Sequence, residues 1–117
     1  MFNFEKLDVW NRTRKFVNYI YDVTDLFPKE EKFGLAQHIR KSAISVLSNI
    51  SESTSRFSNK DFMRFNQIAM GSLFETVGQL IIAFDRKFLS KEKLDILYKE
   101  AEIIAKMLSK FYKSRGE

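Results

Sequence analysis

The chain has 117 residues, 44% hydrophobic and 30% charged, which is the composition of one globular domain rather than a disordered segment. It has no cysteine and one histidine, His38, so disulfides, thiolate metal sites and cysteine nucleophiles are excluded and histidine catalysis has little to work with. Twenty Lys and Arg against fifteen Asp and Glu give a formal charge of +5, which permits an anionic partner such as RNA or DNA.

Four glycines and one proline leave too few turn residues for a sandwich or barrel. No run approaches the length of a membrane span, and the opening Met1–Lys6 lacks the layout of a signal peptide. A soluble cytoplasmic protein of one domain, residues 1–117, is expected. The first helix is expected over about 8–26, ending ahead of Phe27-Pro28, because proline disfavours helix in the residue before it. The second runs over about 29–54, with Pro28 at its start and Glu30 and Glu31 at the positive end of its dipole. The third covers about 59–86, opened by Ser58-Asn59-Lys60-Asp61, and the fourth about 91–113, opened by Ser90 with Glu92 in its first turn. Short connections make neighbouring helices antiparallel, so the expected fold is all-α, an up-down-up-down four-helix bundle.

Placed at about 100° per residue, the side chains of the first helix form one buried face: Val9, Trp10, Phe16, Val17, Ile20, Val23 and Thr24. The other helices carry more apolar surface than one face needs. On the second, Leu35, Ile39, Ala43, Val46 and Ile50 form the core stripe, while Ile44 lies off it and Leu47 at its edge. On the third, Phe62, Phe65, Ala69, Leu73, Thr76, Leu80 and Phe84 face inward. Met63, Met70, Phe74 and Ile81 widen that stripe past half the circumference, and Ile68 and Ile82 fall outside it. On the fourth, Leu94, Leu97, Tyr98, Ala101, Ile104, Ala105, Leu108 and Phe111 face the core, with Ile96, Ile103 and Met107 opposite. Such a surplus points to self-association, with Ile44, Leu47, Met63, Met70, Phe74, Ile81, Ile96, Ile103 and Met107 as interface candidates. The alternative is that these residues merely flank the core. Gly71 and Gly78, one heptad apart, each cost a helix about 1 kcal/mol relative to alanine, a cost that close packing against another helix would offset.

Chemistry has little foothold. Glu-x-x-His pairs, glycine-rich phosphate loops and nucleophile elbows are absent, so no catalytic residue, metal or cofactor is expected. Glu52 and Glu75 lie on successive helices and could approach each other, but both are expected to be structural or paired with Arg and Lys, and His38 is expected to be a hydrogen-bonded residue at the core edge. The basic residues are grouped. Lys99, Lys106, Lys110 and Lys113 form one side of the fourth helix, extended by Arg115, and Arg12, Arg14 and Lys15 cluster on the first. Together they are the candidates for phosphate contacts, which need charge but no base readout; a solvated lysine face is the competing reading.

The motifs now resemble a known family. Phe4-Glu5-Lys6-Leu7-Asp8-Val9-Trp10, Phe33-Gly34-Leu35 with His38–Ala43, Ser45–Glu52, and Lys60-Asp61-Phe62 through Gly71-Ser72-Leu73 with Glu75 are similar to the bacterial four helix bundle protein family. That family includes proteins encoded by intervening sequences in large-subunit ribosomal RNA genes, and the likeness covers about residues 4–84. Leu47 stands where a proline is usual, Ser51 and Ser53 replace alanine and glycine, and Asp85-Arg86-Lys87 replaces a leucine-glycine turn. The resemblance implies a homopentamer without enzymatic activity. A related branch, the accessory protein of diversity-generating retroelements, implies a basic, nucleic-acid-binding ring that also holds a reverse transcriptase. Two functions therefore stand: an oligomer with weak, sequence-independent affinity for RNA or DNA, and a scaffold whose ring docks a partner protein.

Overall fold

The computed structural model describes residues 1–115. Four helices, α1 (Asp8–Thr24), α2 (Leu35–Ser53), α3 (Asn59–Asp85) and α4 (Lys91–Lys113), form an elongated bundle of 43 × 23 × 23 Å. Consecutive helices pack side by side and α4 closes on α1, with the α2–α3 contact the most extensive. The all-α four-helix expectation holds, and α4 has its expected ends.

Serine caps set the starts of α3 and α4. Ser58 Oγ accepts from the Asp61 N–H at 3.1 Å, and Ser90 Oγ accepts from the Lys93 N–H at 3.2 Å. The start of α2 differs from expectation. Pro28 leads into a single 3-10 turn, Lys29–Glu31, and the α-helix begins only at Leu35. The Glu31 carboxylate accepts from the Leu35 N–H at 3.1 Å and so caps α2 from outside it. A Cβ on Gly34 would lie 3.0 Å from that same oxygen, so glycine makes room for the cap. The first helix ends at Thr24, short of Leu26, because the chain turns there to bury Phe27 against the Phe88 ring, 5.8 Å away. Another 3-10 turn, Asn3–Lys6, places Phe4 against Trp10 at 4.9 Å between ring centroids.

The core is aliphatic. Ile20, Ile39, Val46, Ile50, Leu73, Leu80, Leu97 and Ile104 are fully buried, each such side chain stabilising the fold by roughly 1.5–3 kcal/mol. Small residues on the facing helices let α2 and α3 approach closely, and Ala43 on α2 and Ala69 on α3 are fully buried. Ser42 Oγ lies 2.7 Å from Thr76 Oγ1 and donates to Gln79 Oε1 at 3.0 Å, and Ser45 Oγ lies 2.8 Å from Ser72 Oγ. These bonds fix both the sliding register and the rotation of α3. Phe65, Phe84, Ala105 and Phe111 are only half-buried, and Tyr98 is exposed rather than a core residue, because α4 turns that edge outward.

The α3–α4 connection ends α3 in a Schellman turn: Phe88 N–H donates to Ala83 O and Lys87 N–H to Phe84 O, both at 2.9 Å. Lys87 takes the left-handed conformation at φ 67°, which a side chain resists by about 1–2 kcal/mol. Lys87→Gly is therefore expected to raise stability by about 1 kcal/mol, read as a higher urea midpoint at unchanged m-value. No change, or a loss, would show that the Lys87 side chain stabilises the turn.

Candidate functional site

The outward side of α3 is the most unusual surface of the bundle. Between Arg64 and Asp85 its exposed positions are Gln67, Ile68, Gly71, Phe74, Glu75, Gly78, Ile81 and Ile82, of which only Glu75 is charged. Phe74 is 67% exposed although its neighbour Leu73 is fully buried. A Cβ built on Gly71 or Gly78 meets nothing within 4 Å, so no contact among the described residues of the chain offsets the glycine cost. Because core and outer stripes add, α3 contains an 18-residue window of mean hydropathy 1.3, of which 28% is buried. This corrects the expectation that no run approaches membrane-span length: α3 is long and apolar enough by length and composition.

Of the interface candidates, Ile44, Phe74, Ile81, Ile96 and Ile103 are exposed. Leu47, Met63, Met70 and Met107 are half-buried, and all of these except Met63 pack against the core. Ile96 and Ile103 lie with Phe16 and Tyr19 along a groove of about 550 Å³ between α1 and α4, edged by Arg12, Lys15, Lys99 and Glu100. A smaller apolar groove, about 280 Å³, runs between α3 and α4 over Leu73, Phe74, Val77, Tyr98, Ala101 and Ala105.

The structure thus brings three of the basic candidates, Arg12, Lys15 and Lys99, to one seam. Arg12 is engaged there: its Nε donates to Glu100 Oε2 at 2.8 Å, and Glu100 raises its pKa, by that hydrogen bond first and by charge second. Arg14 lies over the Trp10 ring, 5.9 Å from its centroid, and remains exposed. Lys106, Lys110 and Lys113 are exposed along the C-terminal half of α4. Arg115 is bound internally: its guanidinium donates to the Arg56 and Phe57 carbonyls at 3.3 Å and to Asn59 Oδ1 at 3.2 Å, and lies over the Phe62 ring. It ties the end of α4 to the α2–α3 connection, leaving its donors largely occupied. That connection carries residues the sequence pattern did not single out, a fully exposed Phe57 beside Arg56 and Lys60.

The carboxylate pair does not form. The Ser42–Thr76 and Ser45–Ser72 bonds set a register that puts Glu52 opposite Phe65 and Asn66. Glu75 then lies about 15 Å further along α3, at 1.5 Å per residue, and Glu52 pairs with an arginine, Arg56, as expected. His38 is exposed on α2 rather than held at the core edge, since the stripe of Ala36, Ile39, Ala43 and Val46 turns it outward. Among the described residues, no three His, Asp or Glu side chains gather where a metal ion could bind.

A family model described as 23S rRNA-intervening sequence protein matches residues 5–110. The chain is also similar to the crystal structure of a protein with unknown function from the S23 ribosomal protein family of Bacteroides thetaiotaomicron VPI-5482. The two share 22% identity with a TM-score of 0.83 over 91% of this chain and 99% of that one, which is a likeness of fold. No curated protein matches the chain.

With open space at both glycines, Gly71→Ala and Gly78→Ala should each stabilise the fold of the single chain by about 1 kcal/mol through helix propensity. Urea unfolding at low protein concentration measures this; a loss of stability at either site would reveal packing within the chain.

Proposed function

This chain belongs to the 23S rRNA-intervening sequence protein family, and we propose that it is a non-enzymatic module that assembles into a homo-oligomer and binds RNA or DNA weakly. The observation that carries this is the outer face of α3, where Ile68, Phe74, Ile81 and Ile82 stand in water around two unpacked glycines. At roughly 25 cal/mol per Å², burying several such side chains supplies several kcal/mol toward association. Monomers seldom keep contiguous apolar patches beyond a few hundred Å². The groove between α1 and α4 gives a second apolar surface on a different side of the bundle. A ring needs two unlike surfaces that fit each other, so this pairing suits the pentamer that the family resemblance implies.

Nucleic-acid affinity rests on the exposed Lys106, Lys110 and Lys113 with Arg14 on the adjacent helix. Each phosphate contact releases counterions, so a few lysines repeated around an oligomer give salt-sensitive binding without sequence preference. A second reading, a partner protein docked on the assembled ring, draws on the apolar groove between α3 and α4.

Sedimentation equilibrium at tens of micromolar is expected to give several subunit masses, and Gly71→Ala or Gly78→Ala to lower that mass by obstructing close approach. The mass of one subunit would defeat the oligomer. In gel-shift titrations, short RNA and DNA should bind with an affinity that falls steeply with salt. Reversing Lys106, Lys110 and Lys113 to Glu should abolish the shift; undiminished binding after that change would reject this surface.

A further inference from the structure

We infer that α3 of one copy seats in the groove between α1 and α4 of the next, with Glu75 set against Lys15 and Lys99. This rests on the self-association proposed above and names the two surfaces that meet. Consider first the charges on each. Glu75 is the one charged group among the exposed positions of α3 between Arg64 and Asp85, and among the described residues no Lys or Arg nitrogen lies within 4.0 Å of it. The groove has an apolar floor of Phe16, Tyr19, Ile96 and Ile103. Of its four charged edges, Arg12 and Glu100 neutralise each other at 2.8 Å. The two left over, Lys15 and Lys99, are both positive, and neither has a carboxylate within 4.0 Å among the described residues. An apolar ridge bearing one lone acid thus complements an apolar trough bearing two lone bases.

Charge also disfavours the symmetric alternatives. Two α3 faces crossing at their glycines would bring two Glu75 carboxylates together, since Glu75 sits midway between Gly71 and Gly78. Two grooves facing each other would oppose Lys15 and Lys99 to their own copies. Burying like charges together costs several kcal/mol, whereas the unlike pairing brings opposite charges into register. The open space over Gly71 and Gly78 lets the α3 backbone come close to whatever covers it, which a ridge entering a trough requires. This pairing joins two different surfaces, so it adds further copies instead of stopping at a dimer, and forms a ring where the rotation between copies closes.

The test is a charge exchange on exposed positions, followed by sedimentation, with circular dichroism to confirm the helical fold. Glu75→Lys alone, and Lys15→Glu with Lys99→Glu, are each expected to weaken association roughly tenfold or more. The three substitutions combined are expected to restore most of it. If the unsubstituted chain assembles but neither reversal weakens it, or the combination recovers nothing, the pairing is wrong while the oligomer stands. If the unsubstituted chain itself sediments as one subunit, self-association falls, and this pairing with it.

Discussion

Everything distinctive about this molecule follows from the fixed rotation of α3. The helix has apolar residues around most of its circumference, and a bundle of four can bury only one side. Which side is decided by α2, through the Ser42–Thr76–Gln79 and Ser45–Ser72 hydrogen bonds and the close approach that small buried residues such as Ala43 and Ala69 allow. Turning α3 to bury Phe74 would uncover Leu73, break the buried Ser42–Thr76 pair and break the half-buried Ser45–Ser72 pair. Burying one large side chain yields roughly 1.5–3 kcal/mol, while each buried polar group left unpaired costs about 1–3 kcal/mol. With two hydroxyl pairs and Leu73 on the losing side, the present rotation wins. Phe74, Ile81 and Ile82 stay in water because the core leaves them no place.

Sequence periodicity found that surplus because it concerns single helices. The caps at Ser58 and Ser90, the full extent of α4, and the inner stripes of α1, α2 and α3 all rest on residues within a few positions of each other. Outside that range, local pattern fails for identifiable reasons. The start of α2 depends on Glu31 reaching over Gly34 to the Leu35 amide, a cap from a neighbouring turn rather than from the residue before the helix. His38 and Tyr98 sit at stripe edges, where a small error in pitch decides between core and water. Met63, Met70 and Leu47 sit at similar edges and ended half-buried.

The basic surface was the less legible of the two candidate features, because grouping along a helix cannot show which charges are already answered. Arg12 and Arg115 look equivalent to their neighbours in sequence, but partners distant in the chain hold them, Glu100 for the first and the α2–α3 connection for the second. Planar guanidinium groups suit such multi-donor internal bonding better than lysine does. The lysines, with flexible stems and strongly hydrated heads, are left facing solvent together with Arg14.

These two features bear on each other. Seating α3 in the neighbour's groove would enclose Lys15 and Lys99, which removes them from any surface offered to phosphate. Lys106, Lys110 and Lys113 lie further along α4, toward the end of the bundle where Arg115 grips the α2–α3 connection. In a cyclic assembly every subunit points the same way along the axis, so those ends share one rim. The opposite ends, where Asp25, Glu30, Glu31, Asp85 and Glu92 lie among Lys29, Lys32, Arg86, Lys87, Lys91 and Lys93, share the other. Charge at that second rim is nearly balanced, so most of the +5 excess per chain would fall on the first rim, where the repeated lysines of α4 add their fields.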